Sequence, residues 1–373
     1  MSKLKLVHVI NSLDIGGAES MLEKLLANTD QSKFDLSVVT LMDGGSLKKK
    51  IEAHGVPIYS CFMSRNPLKI MFGLIRLVRI IRNIGPNIIQ TWMYHPNLLV
   101  FLISFLFPQK TKLYWNIRSA LHVYEQNNYW SFSTRLVIYL GSFFSRYTSG
   151  IIINTNQGLK HHLKAGYCKN KFFYIPNGFN EEYFQRQDGL RKNFRKTNEI
   201  EENEFVIGFV GRFHRDKGPE LFLDFAKNHP QYRYLMVGPE TDSSMAQDFV
   251  RERNLLDRVI LLSSQSEMNQ IYSGIDMLLI TSETEGFSNT LAESMLCGVL
   301  PLAVDVGENK NIIQEEFFVS SRNLQSLQEK FGKIENLTST EKEKYSAEFR
   351  ESIIDRFSIK NIAKKYEEYY LRT

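Results

Sequence analysis

The stretch "EFVIGFVGRFHRDKGPELFLDFAKNHP", Glu204 to Pro230, decides the fold. Its first part is a short apolar run with no polar alternation, the pattern of a strand buried on both faces. A loop of glycines and charges follows, and "GPELFLDFAKNHP" then reads as a helix. Strand, loop and helix in that order make up a piece of a βαβ series. The same order recurs in both directions. Upstream, "LKLVHVI", "FDLSVVTL", "VPIYSCF", "NIIQTWM", "KLYWNIR", "GIIINT" and "FFYIPNG" read as buried strands separated by segments of helical period. Downstream, "YRYLMVG", "RVILLSS", "DMLLITS" and "LPLAVD" are strands, with "SMAQDFVRERNL" and "TLAESMLCG" as helices. The fold class is therefore α/β, with two doubly wound Rossmann-like units, each offering ligands the carboxyl ends of its strands.

At 373 residues the chain is too long for one core, and about 150 residues per domain suggests two. The alternation breaks in "NEEYFQRQDGLRKNFRKTNEIEENE", where charge takes over as it does in an exposed connection. The expected organisation is a first domain over 1–180, a linker over 181–204, a second domain over 205–355 and an amphipathic C-terminal helix over 356–373 that packs back. A hydrophobic content of 43% with 23% charged residues excludes disorder. Cys61, Cys168 and Cys297 are far apart, form no CxxC pair and indicate a reduced, cytoplasmic compartment. The first apolar run is too short for a signal peptide, and no stretch reaches the length of a membrane span.

The net charge of +5 conceals an asymmetry: residues 1–180 carry 21 Lys/Arg against 8 Asp/Glu, and the remainder 25 against 33. Two domains attracting each other account for this, as does a basic half that faces an anionic partner such as a membrane surface. Nucleic acid is disfavoured, because the basic half lacks a clustered basic stripe with interleaved aromatics.

Four loops fall where strands deliver the chain to the ligand edge. In "NSLDIGGAES", Gly16 and Gly17 can take positive φ and let amides approach an anion, with a helix starting near Ala18. The loop is not GxGxxG, which disfavours a nicotinamide oxidoreductase. In "VGRFHRDKG", Arg212 and Lys217 can converge on one diphosphate, while His214 reads as a surface residue. In "TSETEGFSNTLAE", Gly286 permits a sharp turn and Phe287, Ser288, Asn289 and Thr290 lead into a helix whose free amides face the ligand. Glu285 lies on that loop. Local chemistry favours Glu293 as the N3 member of a capping box with Thr290 at N-cap. In "YIPNGFN", turn chemistry explains Asn177 and Gly178 fully.

Taken together and in order, "GGAE" at 16–19, "IPNG" at 175–178, "VGRFHRDKG" at 210–218 and "EGFSNTLAE" at 285–293 resemble the GT-B glycosyltransferases of family 4, which transfer a sugar from a nucleotide-activated donor with retention. The resemblance implies that Arg212 and Lys217 bind the donor diphosphate, assisted by amides at Phe287 to Thr290 and by the Gly16–Gly17 loop. It further implies that Glu293 binds the ribose and Glu285 the transferred sugar. No Asp-x-Asp occurs, so neither a metal nor any other cofactor is expected. The histidine that the family often carries after the fifth strand is missing, and Arg118, Ser119 or His122 of "WNIRSALHVYE" stands for it on the acceptor side, with Asn177. The turn that usually follows "DVGENKNIIQ" also lacks its glycines.

Within the family, "GGAESML", "TWMYHPNLL", "WNIR" and "YIPNGF" look most like bacterial transferases that build capsule or O-antigen units on a polyprenyl diphosphate. The partners so implied are a UDP-sugar, a lipid-linked saccharide and the cytoplasmic face of the inner membrane. "IMFGLIRLVRIIRNIG", with Arg76, Arg79 and Arg82 beside apolar residues, fits a surface on anionic lipid, and equally a helix that merely covers the sheet. Two other classes fit the same loops: a sugar-nucleotide epimerase working without an acceptor, and a non-catalytic sugar-nucleotide-binding partner of a membrane assembly.

Overall fold

A computed structural model describes residues 3–14, 16–108, 110–119, 121 and 132–372. The chain forms two compact units, one of Met1–Gly178 with Ile359–Thr373, the other of Phe179–Ser358.

The first unit is built on a parallel seven-stranded sheet: β1 (Leu4–Ile10), β2 (Phe34–Thr40), β3 (Ile58–Ser60), β4 (Ile88–Trp92), β5 (Lys112–Ile117), β6 (Gly150–Ile153) and β7 (Phe172–Tyr174). Their order is β3-β2-β1-β4-β5-β6-β7. The direction of winding thus reverses between β1 and β4, where an open parallel sheet presents its ligand crevice. Each sheet face has its own core. One core gathers Leu6, Ile10, Tyr114 and Ile152 under the helices Gly17–Asn28 and Ile359–Arg372. The other gathers Val7, Val9, Trp115 and Ile151 under the helices Pro67–Ile84, Tyr94–Ile103 and Phe132–Phe144.

The C-terminal helix Ile359–Arg372 belongs to the first unit and buries Ile362, Ala363, Tyr366, Tyr369 and Tyr370. Tyr369 stacks on Phe173 with ring centroids 4.5 Å apart. Glu367 Oε1 accepts the Asp30 amide at 2.8 Å, and the Tyr370 hydroxyl donates to Gln90.

The second unit carries β8 (Val206–Val210), β9 (Arg233–Val237), β10 (Val259–Leu262), β11 (Met277–Ile280), β12 (Leu300–Val304) and β13 (Val319–Ser320). All pairings are parallel, in the order β10-β9-β8-β11-β12-β13, so winding reverses between β8 and β11. The two-residue β13 carries no run long enough to read as a strand.

The charged segment expected as a linker is instead part of this unit. Residues Asp188–Thr197 form a helix with Phe194 and Arg195 buried. Arg195 is 1% exposed. Its guanidinium meets Asp276 at 2.7 Å, the Gly274 carbonyl at 3.1 Å and the Glu201 and Glu204 carbonyls at 2.8 and 3.0 Å. Arg191 reaches the other Asp276 oxygen at 3.0 Å. The charge run thus satisfies acceptors at the amino ends of the central strands, β8 and β11. A buried cation supplied with both a carboxylate and carbonyls is stable where a solvated one contributes little.

Candidate functional site

β8 and β11 are neighbours in space with two strands between them in sequence, and the loops that leave them are stitched together. The Glu283 amide donates to the Asp216 carbonyl at 2.8 Å, and the Thr281 hydroxyl to the Gly218 carbonyl at 2.8 Å. Gly218 has φ +66°, the left-handed region, and a Cβ there would run into the Thr281 carbonyl. Only glycine allows this approach. Pro219 then opens the helix Pro219–Asn228 at N1.

This stitching sets Lys217 and Glu285 side by side, Nζ to Oε1 at 2.7 Å. The Ser282 hydroxyl donates to the same Oε1 at 2.7 Å. Among the described residues both bonds fall on Oε1, and Oε2 accepts none. The Glu285 side chain is 9% exposed and that of Lys217 35%, so the carboxylate is fixed while the ammonium reaches solvent. Arg212 is exposed, and among the described residues its guanidinium has no hydrogen-bond or ion-pair partner. One paired and one unpaired cation therefore stand at the switch point. From the third side, Gly307, at φ +60°, lies against the Glu285 and Gly286 carbonyls, and the Glu308 amide donates to the latter at 3.1 Å. The left-handed glycine of this corner is Gly307; Gly286 itself has no positive φ.

The helix after β11 runs over Asn289–Leu296 with Ser288 at N-cap and no side-chain cap bond. Glu293 thus lies beyond the first turn, and the expected capping box with Thr290 does not form. Such a box occurs instead at Thr338 and Glu341. Glu293 Oε2 accepts the Tyr272 hydroxyl at 3.1 Å. Burial, with Glu293 adding to it, pushes the Tyr272 hydroxyl well above its usual range and keeps it a donor. The Phe287 ring packs on Phe179 and Phe357 with centroids 5.9 and 5.3 Å away, so only its backbone is available to a ligand. An α-helix leaves its first amides without intrahelical acceptors, and this end follows directly on Glu285–Ser288.

Residues that the sequence did not single out complete this side. Arg322, following β13, binds Glu283 at 3.2 Å and the Thr281 carbonyl at 3.1 Å. Ser282 and Tyr272 orient the two glutamates. Nothing in local sequence marks Arg322 or Tyr272, because each acts on residues distant in the chain, whereas Ser282 acts on Glu285 three positions on.

In the first unit the glycine pair behaves otherwise than expected. Gly16 is extended, with φ −154°, the helix begins at Gly17, and neither residue has positive φ. The bare Cα of Gly16 admits the Glu19 carboxylate, which a Cβ would displace. Burial, with Asp14 adding to it, raises the Glu19 carboxyl above its usual range, while a bond from its own amide opposes the rise. A side-chain carboxylate therefore takes the place where the loop was expected to receive an anion.

Arg118 and Asn177 are brought together at 2.8 Å. Arg118 also donates to the Tyr366 hydroxyl at 2.8 Å and the Pro176 carbonyl at 3.2 Å, and lies over the Trp92 ring at 5.7 Å. Its partners are neutral, and burial lowers its pKa from the ordinary value. The guanidinium thus ties β5, the 175–178 turn and the C-terminal helix together. Ser119 bonds Tyr94, whose hydroxyl meets His162 Nε2 at 3.0 Å. His122 lies outside the described residues.

Comparison with known proteins agrees with this architecture. Residues 191–352 match the family "Glycosyl transferases group 1", and residues 15–183 match "Glycosyltransferase Family 4". The capsular polysaccharide biosynthesis glycosyltransferase CapM of Staphylococcus aureus is 23% identical over 357 residues, covering 91% of this chain and 90% of the relative. A UDP-Gal:alpha-D-GlcNAc-diphosphoundecaprenol alpha-1,3-galactosyltransferase of Escherichia coli is 22% identical, covering 85% and 83%. Among solved structures, Anabaena HepE in complex with UDP and glucose superposes with a TM-score of 0.84 at 20% identity, over 99% of this chain and 100% of that one. With two adjoining family models spanning nearly its whole length and both its sheets in the GT-B arrangement, the chain belongs to the group 1 glycosyltransferases of family 4.

Proposed function

We propose that the protein is a retaining, metal-independent transferase. It moves a hexose or N-acetylhexosamine from a UDP-sugar to a polyprenyl-diphosphate-linked saccharide in capsule or O-antigen biosynthesis. The observation that carries this reading is the Lys217–Glu285 pair at 2.7 Å, with Arg212 uncommitted on the same loop as Lys217. Breaking the anomeric C–O bond leaves a cation-like sugar and places charge on the departing diphosphate. Lys217, held by Glu285, is the preorganised positive charge for that oxygen, the exposed Arg212 of the same loop supplies a second, and the amino end of the helix Asn289–Leu296 adds its dipole. Glu285, held through Oε1, turns Oε2 to a sugar hydroxyl, and Glu293, oriented by Tyr272, takes the ribose. The acceptor oxygen forms its bond to the anomeric carbon on the face the diphosphate leaves, and its proton passes to the departing phosphate. No protein base is then required.

The names of the relatives support the substrate class. One builds capsule, another acts on a diphosphoundecaprenol acceptor, and the structural neighbour holds UDP. Peripheral attachment to the cytoplasmic face of the inner membrane is supported by the first unit. Between Ala53 and Asn180 the chain has fourteen Lys/Arg and one acidic residue, Glu125. On the helices Pro67–Ile84 and Phe132–Phe144, Leu68, Phe72, Phe132 and Tyr139 are each more than 60% exposed. Among the described residues no helix is long and apolar enough to cross a membrane.

The test supplies purified protein with a panel of sugar nucleotides and a diphosphate-linked lipid saccharide, and reads nucleotide release and the anomeric configuration of the product. Retention is expected, with Lys217→Ala and Glu285→Gln each lowering turnover by about 10²–10³-fold, the range for removing one preorganised charge or donor. An inverted product, or unchanged turnover in both variants, would refute the assignment.

A further inference from the structure

The tripeptide Thr281–Ser282–Glu283 leaves β11 between two restraints. One is the loop after β8, which accepts the Glu283 amide and the Thr281 hydroxyl. The other is Arg322, on the turn after β13. Its Nε donates to the Thr281 carbonyl at 3.1 Å and its Nη2 meets Glu283 Oε1 at 3.2 Å, so one guanidinium spans the tripeptide from end to end. Between those ends stands Ser282, whose hydroxyl holds Glu285 Oε1 at 2.7 Å. Gly218 leaves room for this arrangement, since a Cβ there would crowd Arg322 Nη2 at 3.3 Å. Arg215 Nε, from the loop after β8, lies 3.4 Å from Glu283 Oε2. The loops after β8, β11 and β13 therefore meet on one carboxylate.

Two observations separate this clasp from an ordinary surface ion pair. First, the side chains of Arg322 and Glu283 are 35% and 30% exposed, and pairs so open to solvent add little to stability. What the fork adds is direction. Its planar donors hold a carbonyl and a carboxylate in a fixed relation, which a single ammonium cannot do. Second, the backbone that carries the fork is itself fixed. The Asn323 amide donates to the Ser321 carbonyl at 2.8 Å, a tight turn centred on Arg322. Asn323 then caps the helix Leu324–Glu335, its Oδ1 accepting the Ser326 amide at 2.8 Å. A side chain carried on such a support sets the geometry of what it holds.

We infer that Arg322 is a positioning residue of this site: by clasping Thr281 and Glu283 it fixes Ser282, and through the Ser282 hydroxyl it holds Glu285 Oε1 against Lys217. The inference rests on the roles proposed above for Lys217 and Glu285. Among the described residues Arg322 has no hydrogen bond or ion pair with either of them, so it acts through the tripeptide. Without the fork, the tripeptide keeps its bonds to the loop after β8 and loses the restraint on its other side. The Ser282 hydroxyl then no longer fixes Oε1, and the carboxylate and ammonium drift from the separation of 2.7 Å. The clasp also gives a use to Glu283, which the pairing of Glu285 with Glu293 leaves out.

The experiment compares Arg322→Ala and Arg322→Lys with the parent, all as the full chain. Two measurements use no substrate. The ammonium protons of Lys217, assigned by NMR from their disappearance in Lys217→Ala, should give a resolved signal in the parent, where a fixed carboxylate holds them, and lose it in Arg322→Ala. Exchange of the Glu283 amide should quicken by about tenfold in the same variant, while the unfolding midpoint stays at the parent value. The third measurement is turnover of a sugar nucleotide. Arg322→Ala should lower kcat by about tenfold with KM changed by less than about twofold, as a small misplacement of reacting groups does. In a Glu285→Gln background the same substitution should cost less than about twofold, because the group it positions is already altered. Arg322→Lys, which meets one of the two acceptors at a time, should fall between parent and Arg322→Ala in all three. A Lys217 signal that persists in Arg322→Ala, or an equal loss of kcat with and without Glu285→Gln, would overturn the inference. Its failure is separable from that of the proposed activity: a parent that transfers no sugar refutes the activity, and the Lys217 signal still decides the clasp.

Discussion

At the scale of single residues, Glu293 shows what local chemistry can and cannot decide. "FSNTLAE" offers Ser288, Asn289 and Thr290 in succession, all good N-caps, and the box T-x-x-E selects the last. The structure starts the helix earlier because the Phe287 ring is pinned between Phe179 and Phe357, contacts with residues about seventy to a hundred positions away. The pairing of Glu285 with Glu293 came from the resemblance of "EGFSNTLAE", and the cap was not legible, since tertiary packing set its register. With no cap to lose, Glu293→Gln should shift stability by less than about 1 kcal/mol, as its amide oxygen still accepts the Tyr272 hydroxyl. UDP affinity should fall by about tenfold if the carboxylate holds the ribose. Thermal unfolding and UDP titration on one preparation separate the two, and lost stability with retained affinity would make Glu293 structural. His8 and His162 carry a second prediction. Burial lowers their pKa to about 3 and about 4, from 6.5. Both are neutral in the fold, with Trp92 donating to His8 Nδ1 at 3.2 Å and His162 bonded to Tyr94. The unfolded chain binds the extra protons, so their contribution is complete above pH 6.5 and is lost as pH falls from there toward 4. The slope is up to about 1.4 kcal/mol per pH unit for each histidine. Denaturant midpoints from pH 7 to 4.5 should fall accordingly, and His162→Gln should flatten the curve.

At the scale of elements, the strands were the most legible part of the chain. A strand buried on both faces reads as an apolar run, and β8 and β11 are apolar throughout, while β1 and β4 interrupt theirs with Lys5, His8, Gln90 and Thr91. The helix Asp188–Thr197 was not legible, because its charges look like solvent-facing residues until their acceptors are seen. Those acceptors lie about eighty residues downstream, at Gly274 and Asp276. Asp276 receives Arg191, Arg195 and the Val206 amide at 3.0, 2.7 and 2.9 Å, so one carboxylate joins the helix to the first residue of β8. Asp276→Ala would leave the Arg195 guanidinium, 1% exposed, with carbonyls alone. Removing one partner of a buried pair costs about 3–5 kcal/mol. Replacing the pair together, as Asp276→Leu with Arg195→Met, should recover part of that loss, because neither charge then has to be desolvated. Urea unfolding of the single and double variants measures the coupling. Additive losses would show that the pair does not hold the helix.

At the scale of the whole molecule, the first unit is discontinuous and the second is not. The chain leaves the first unit at Gly178 and returns at Ile359. The apolar spacing of the last helix made its docking legible, but not the face it would cover. That face is set by a polar set on β4 and β5, where Gln90 and Asn116 meet Tyr370 and Tyr366. Arg212, Lys217, Glu285 and Glu293 all lie within Phe179–Ser358, so truncation separates the donor recognition proposed for them from the integrity of the first unit. Deleting residues 359–373 would expose the surface under Ile362, Tyr366, Tyr369 and Tyr370, four side chains worth about 1.5–3 kcal/mol each on burial. That loss rivals the whole stability of a typical domain, about 5–15 kcal/mol. Calorimetry of the truncated chain should therefore lose the transition of the first unit and keep that of the second. UDP should still raise the remaining midpoint, since a ligand that binds only the folded form stabilises by RT ln(1 + [L]/Kd). Loss of both transitions would mean that the units depend on each other for stability. A surviving transition with no response to UDP would move part of the donor site onto the first unit.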